Sequence, residues 1–152
     1  MWQCIAQSPA SRAVNSIVRV VPTGTRTVVS GNRALAGGRP DVAARAAADV
    51  VRKEPGNAFA LLLKGRAALA QGKNREAIAA FKAYLTLVPR SADAHHWIAL
   101  AALRLGDRAR ALAEEEAAIA LDPRHASAIA LRAGLLFSMG RADEGIAALR
   151  EA

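Results

Sequence analysis

The sequence predicts an all-α solenoid of stacked antiparallel helix pairs, and three observations carry that prediction. Alanine supplies 38 of 152 residues while the aromatics number six, a composition that favours helix and starves a β-sandwich or barrel of the residues it needs. A single period runs through the chain: Pro55, Pro89 and Pro123 stand 34 apart, as do Gly38, Gly72, Gly106 and Gly140. Ala43, Ala77 and Ala111, with Gly145 in the next slot, keep that spacing, and so do the small residues Gly31, Gly65, Ala99 and Ala133. Between these markers the apolar residues recur at helical rather than strand spacing.

Residues 1–23 form a basic extension with two readings. Ala10, Val14, Ile17, Val18 and Val20 before Pro22 suit a helix over 9–21, the second helix of an eroded half-repeat. Val18–Val29 equally suits an extended segment, given Pro22, Gly24 and the β-branched flanks. The unit 24–57 is degenerate. Gly31, Ala34, Gly38, Ala43 and Pro55 fit the period, but residues 25–30 are poor helix formers. Pro40 follows Gly37-Gly38-Arg39, where a first helical turn tolerates proline.

The unit 58–91 is the clearest. A helix of about 14 residues ends near Gln71, where Gly72 supplies the stop. A second helix runs from about Asn74 to Leu87, and Pro89 ends it. Leu61, Leu62, Leu69, Ile78, Phe81, Leu85 and Leu87 give the apolar faces, with Gly65 and Ala77 small where helices approach closely. Leu105-Gly106-Asp107 marks the same turn in unit 92–125, and Met139-Gly140-Arg141 in the truncated unit 126–152.

These markers resemble the tetratricopeptide repeat (TPR) family, a 34-residue helix–turn–helix pattern with small residues in both helices, a turn glycine, a second-helix aromatic and a closing proline. Unit 58–91 carries Gly65, Gly72, Ala77, Phe81 and Pro89; unit 92–125 carries Ala99, Gly106, Ala111, Ala118, Leu121 and Asp122-Pro123. The resemblance implies a right-handed stack whose concave face binds a peptide. Two departures stand out. The aromatic Phe81 is replaced by Ala47 and Glu115 in the neighbouring units, and the leucine before the small first-helix residue becomes Lys64 and Arg132. Charges at inward positions need partners, so Glu115 and Arg132 either pair across successive helices or both snorkel to solvent.

Charge argues against a nucleic-acid surface. Of the net +8, residues 1–40 hold five arginines and no acid, whereas residues 41–152 hold 16 bases and 13 acids with no basic cluster or interleaved aromatics. The acid-free start also suits a mitochondrial transit peptide, but no apolar stretch of about 7–15 residues follows a short basic region as in a secretory signal. No uncharged run reaches the roughly 18 residues a membrane span needs, so the expected location is cytoplasmic, with no membrane partner.

Catalysis has little to stand on. The lone Cys4 has no histidine near it in sequence, and Gly37-Gly38 follows a helix rather than a strand, which excludes a phosphate loop. His95 and His96 point about 100° apart on one helix and cannot easily grip one metal. Asp93, His96 and His125 are the one set with a chance to converge, yet groove or surface histidines are commoner. Glu114-Glu115-Glu116 reads as a solvated face. The expectation is a protein without catalytic residues, cofactor or metal: an interaction module. The alternative is the repeat portion of a larger enzyme-bearing protein, since TPR stacks often adjoin transferase or hydroxylase domains. Units 24–152 consume most of the chain, which disfavours catalysis within it.

By resemblance, the first helix of each pair lines the concave face. The groove residues are then Asn32 and Leu35; Phe59, Leu62, Arg66 and Leu69; Asp93, His96, Leu100, Leu103 and Arg104; and Ser127, Ala130 and Phe137. The Lys-and-Asn clamp of some TPR receptors for C-terminal carboxylates is missing, because Val28 stands where the lysine would precede Asn32. What remains suits a peptide with apolar anchors and one or two acidic groups. Leu62, Leu100 and Leu103 have the alternative of packing within the stack. Leu135, Leu136, Ile146 and Leu149 in the final unit lack a following helix to cover them, which predicts self-association there.

Overall fold

A computed structural model describes residues 23–150. These residues form eight α-helices and no strand: α1 Thr23–Ala36, α2 Pro40–Lys53, α3 Ala58–Ala70, α4 Asn74–Leu87, α5 Ala92–Arg104, α6 Arg108–Leu121, α7 Ala126–Ser138 and α8 Ala142–Arg150. The helix expected at 9–21, and Cys4, lie outside the described residues. Residues 25–30 are helical despite their weak propensity, because Val28 is buried against Ala43, Ala47 and Leu63. Tertiary burial overrides a propensity deficit of a few tenths of a kcal/mol per residue. The extended reading of 18–29 therefore fails from residue 23 onward.

The period repeats the same local chemistry at each helix end. Gly38, Gly72, Gly106 and Gly140 adopt φ of 70°, 74°, 83° and 77°, the left-handed region open to glycine. After α3, the Lys73 amide donates to the Ala68 carbonyl at 2.9 Å and Gly72 to Leu69 at 3.1 Å, the paired bonds of a Schellman end; the other three turns repeat them. Second helices stop at Lys53, Leu87 and Leu121, each two residues before a proline. First helices begin behind a side-chain cap at that same period: Asn57 accepts from the Ala60 amide, Ser91 from Ala94 and His125 from Ala128.

Each helix packs against its neighbours in sequence, and α1 meets α3 and α3 meets α5, which sets the first helices on a common inner layer. The interior is correspondingly a series of clusters rather than one core. Val28, Val50 and Leu63 centre the first, Ile78, Phe81 and Ile98 the second, and Leu112, Leu135 and Leu136 the third. Alanines without exposed surface, among them Ala43, Ala60, Ala77, Ala99 and Ala111, let the helices close up. Gly65 allows more: a Cβ there would lie 2.5 Å from Cε1 of the fully buried Phe81 ring.

Candidate functional site

The inner layer carries a charge that the outer layer lacks. Helices α1, α3, α5 and α7 hold six basic residues (Arg26, Arg33, Lys64, Arg66, Arg104 and Arg132) against a single acid, Asp93. Helices α2, α4, α6 and α8 hold eight of each sign. On the inner layer a trough of about 390 Å3 is lined by Leu35, Arg66, Leu69, Ala70, Trp97, Leu100 and Arg104. Its residues come from three consecutive first helices.

The two arginines are held without neutralising partners. The Arg66 guanidinium carbon sits 5.0 Å from the centroid of Trp97, and Nη1 donates to Asn32 Oδ1 at 3.4 Å. Trp97 is in turn packed on Phe81, ring centroids 5.3 Å apart, so the cation rests on a braced surface. Arg104 Nη1 donates to the Leu69 carbonyl at 2.7 Å, an acceptor at the C-terminal end of α3. Both side chains are exposed, and among the described residues neither meets a carboxylate within ion-pair distance. Each keeps N–H donors free for an incoming oxyanion.

Of the residues expected on the concave face, the trough unites Leu35, Arg66, Leu69, Leu100 and Arg104, with Asn32 attached through Arg66. Leu62 and Leu103 pack within the stack, against the Phe81 and Leu135 clusters respectively. Phe59 is 74 % exposed outside the trough, and Ser127 and Ala130 are exposed as well. Phe137 leans toward α8, where a Cβ on Gly145 would lie 3.0 Å from its ring. Trp97 was not singled out by the sequence. Its signal lies in the stripe Asp93, Trp97, Leu100, Arg104, spaced by four, three and four on one helix face.

His96 and Asp93 have other partners. His96 is buried, its Nδ1 2.8 Å from Glu115 Oε1, and Asp93 Oδ1 accepts from His125 Nε2 at 2.9 Å. Glu115 therefore neither reaches Arg132 nor snorkels: its side chain has no exposed surface. Arg132 lies 3.8 Å from Glu116 Oε1 instead, and Lys64 is exposed. The run 114–116 is not one solvated face, since Glu114 is mostly covered and bonded to His95 Nδ1 at 2.8 Å. His125 spends both ring nitrogens, on Asp93 and on the Ala128 amide, so the triad Asp93, His96 and His125 offers no joint ligand set. No other group of three or more metal-ligating side chains assembles among the described residues.

On the last helix pair Ile146 and Leu149 are exposed as expected, together with Phe137 and Met139, each at least 40 % exposed, whereas Leu135 and Leu136 are buried in the third cluster against Leu112 and Ala148. No helix among the described residues is long and apolar enough to cross a membrane.

Comparison with known proteins agrees with this architecture. Among solved structures, MamA is 28% identical with a TM-score of 0.76, over 85% of this chain and 70% of that one. TTC0263, a thermophilic TPR protein of Thermus thermophilus, is 21% identical with a TM-score of 0.73, over 85% of this chain and 72% of that one. The first TPR of Spaghetti (RPAP3), solved bound to the HSP90 peptide SRMEEVD, is 16% identical with a TM-score of 0.73, over 77% of this chain and 93% of that one. No curated protein matches the sequence. The tetratricopeptide repeat model matches residues 29–94, 62–124 and 98–152, and the chain belongs to the tetratricopeptide repeat family.

Proposed function

We propose that the chain is a non-enzymatic interaction module whose trough holds an extended peptide with apolar anchors and one or two acidic groups. The observation that carries the reading is the pair of exposed, carboxylate-free guanidiniums of Arg66 and Arg104 on a floor of Trp97, Leu69 and Leu100. A half-buried apolar floor supplies area-driven affinity, and the arginines supply orientation and salt-dependent attraction. The peptide bound by RPAP3 gives a relative's precedent for an acidic, partly apolar ligand. This trough differs from a carboxylate clamp, because Val28 is buried in the first cluster and brings no charge to the inner face. His96 drops out of the recognition set, since Glu115 occupies it. A cytoplasmic location belongs to the same reading, as does self-association through the exposed apolar residues of the last pair.

The test is a panel of immobilised decapeptides pairing Leu or Phe with Asp or Glu, read at low and high salt. Arg66→Ala with Arg104→Ala should lower the affinity for the best binders about tenfold or more and flatten the salt dependence. Equal affinities in wild type and double variant at both salt levels would move the binding surface off the trough.

A further inference from the structure

All three histidines of the chain gather where α5, α6 and α7 meet, and each takes a carboxylate. His95 Nδ1 is 2.8 Å from Glu114 Oε2, His96 Nδ1 is 2.8 Å from Glu115 Oε1, and His125 Nε2 is 2.9 Å from Asp93 Oδ1. The rings of His96 and His125 lie 5.2 Å apart between centroids, tilted by 47°. One of the three carboxylates differs from the others. The side chains of Glu114 and Asp93 are 19% and 73% exposed, whereas Glu115 is fully buried and its Oε2 has no hydrogen-bond partner.

An ionised carboxylate with a bare oxygen in a protein interior is costly unless a cation and further donors serve it. The guanidiniums nearby serve its neighbours: Arg110 stands 4.0 Å from Glu114 and Arg132 stands 3.8 Å from Glu116. Burial pushes the Glu115 carboxyl above its ordinary value of 4.5, Glu114 pushes the same way, and His96 and His125 oppose it. Oε2 remains unserved in either tautomer of His96.

We propose that the α5–α6–α7 junction is a pH-responsive hinge, in which Glu115 keeps a proton on its bond to His96 and release of that proton loosens α7. In the closed state the carboxyl O–H of Glu115 donates to a bare Nδ1 of His96. Release sends the proton to water and leaves a buried anion served by at most one His96 N–H. His125 transmits the change. Its Nδ1 accepts the Ala128 amide at 3.1 Å as the cap of α7, so its hydrogen resides on Nε2 toward Asp93, and its ring rests on His96. A folded-state value raised above 4.5 gives a stabilisation that is complete below 4.5 and is lost as pH rises through the folded value.

Backbone hydrogen exchange of the whole chain from pH 4.5 to 8, corrected for intrinsic rates, tests the hinge, with the amides of α1–α3 as internal reference. In wild type the opening constant of α6 and the first turn of α7 should climb with pH, by up to about tenfold per unit while one proton leaves. Glu115→Gln keeps a donor to His96 Nδ1 but has no proton to lose, so its slope should fall below that of wild type. His125→Asn keeps a cap acceptor but removes the ring resting on His96, so α6 should keep its slope while the first turn of α7 loses its own. Matching slopes in wild type and Glu115→Gln, or an unchanged α7 slope in His125→Asn, would overturn the proposal. Where Glu115→Gln fails to fold, the carboxyl carbon-13 shift of Glu115 in wild type decides: titration at or below 4.5 overturns it, titration clearly above supports it.

Discussion

Phe81 and Glu115 stand 34 residues apart at the same place in consecutive units, and neither has any exposed surface. One helix pair fills the place with hydrocarbon and the next with a carboxylate. The difference is absorbed by whatever faces it. Phe81 lies on Gly65, whose missing Cβ makes room for the ring; Glu115 lies at the pair containing Ala99 and is met by His96. A third solution appears at Ala47 in α2, where the Leu63 side chain from α3 reaches in beside Gly31, at a position a Cβ on that glycine would occupy. The repeat thus fixes the backbone frame and leaves each interior site to be closed by local complementarity.

The comparison breaks most visibly at the aromatic end. Phe81→Ala removes the centre of the second cluster and the brace under Trp97, and should cost about 3–5 kcal/mol in chemical denaturation. Gly65→Ala forces a methyl against that ring and should cost about 1–3 kcal/mol, most of it recovered when Phe81 is shortened to Leu in the same chain. A Gly65→Ala variant as stable as wild type would show that the helix pair is not held by this contact.

The exchangeability of the two sites sharpens the point. Glu115→Phe alone should destabilise, by overpacking against Ala99 and by stripping His96 of its partner. Adding Ala99→Gly recreates the Gly65–Phe81 pairing one unit later. The two substitutions should then couple favourably by at least about 1 kcal/mol in a double-mutant cycle, despite the helix-propensity penalty of glycine. Strict additivity would mean that the site tolerates an aromatic without that complementarity.

Legibility in the sequence follows the same division. Turn glycines, stop prolines and small close-approach residues are backbone requirements with few acceptable residue types, so Gly72, Pro89 and Gly65 announce the fold directly. The partner of Glu115 is a cross-helix choice set by stacking angle, and periodicity along one helix does not contain it. A weaker signal existed: two histidines followed by two glutamates at one offset, His95 to Glu114 and His96 to Glu115, both 19 residues apart. Adjacent residues on a helix diverge, so each histidine needs its own acid. Trp97 escaped for a related reason, because its ring serves two units at once through Phe81 and Arg66.

The smallest expected effect on stability separates site from scaffold. Arg66 and Arg104 are exposed, and their bonds to Asn32 and to the Leu69 carbonyl are replaceable by water. Replacing both with Ala should change the unfolding free energy by no more than about 0.5 kcal/mol each, while peptide affinity falls and loses its salt dependence. Phe81→Ala should show the opposite profile, a large loss of stability with binding lost only in proportion to the unfolded fraction and to the tilt of Trp97. If the arginine pair behaved like Phe81, destabilising the stack as it weakened binding, the guanidiniums would belong to the frame. The free donors of Arg66 and Arg104 predict otherwise: two unspent guanidiniums beside Trp97, on a scaffold that stands without them.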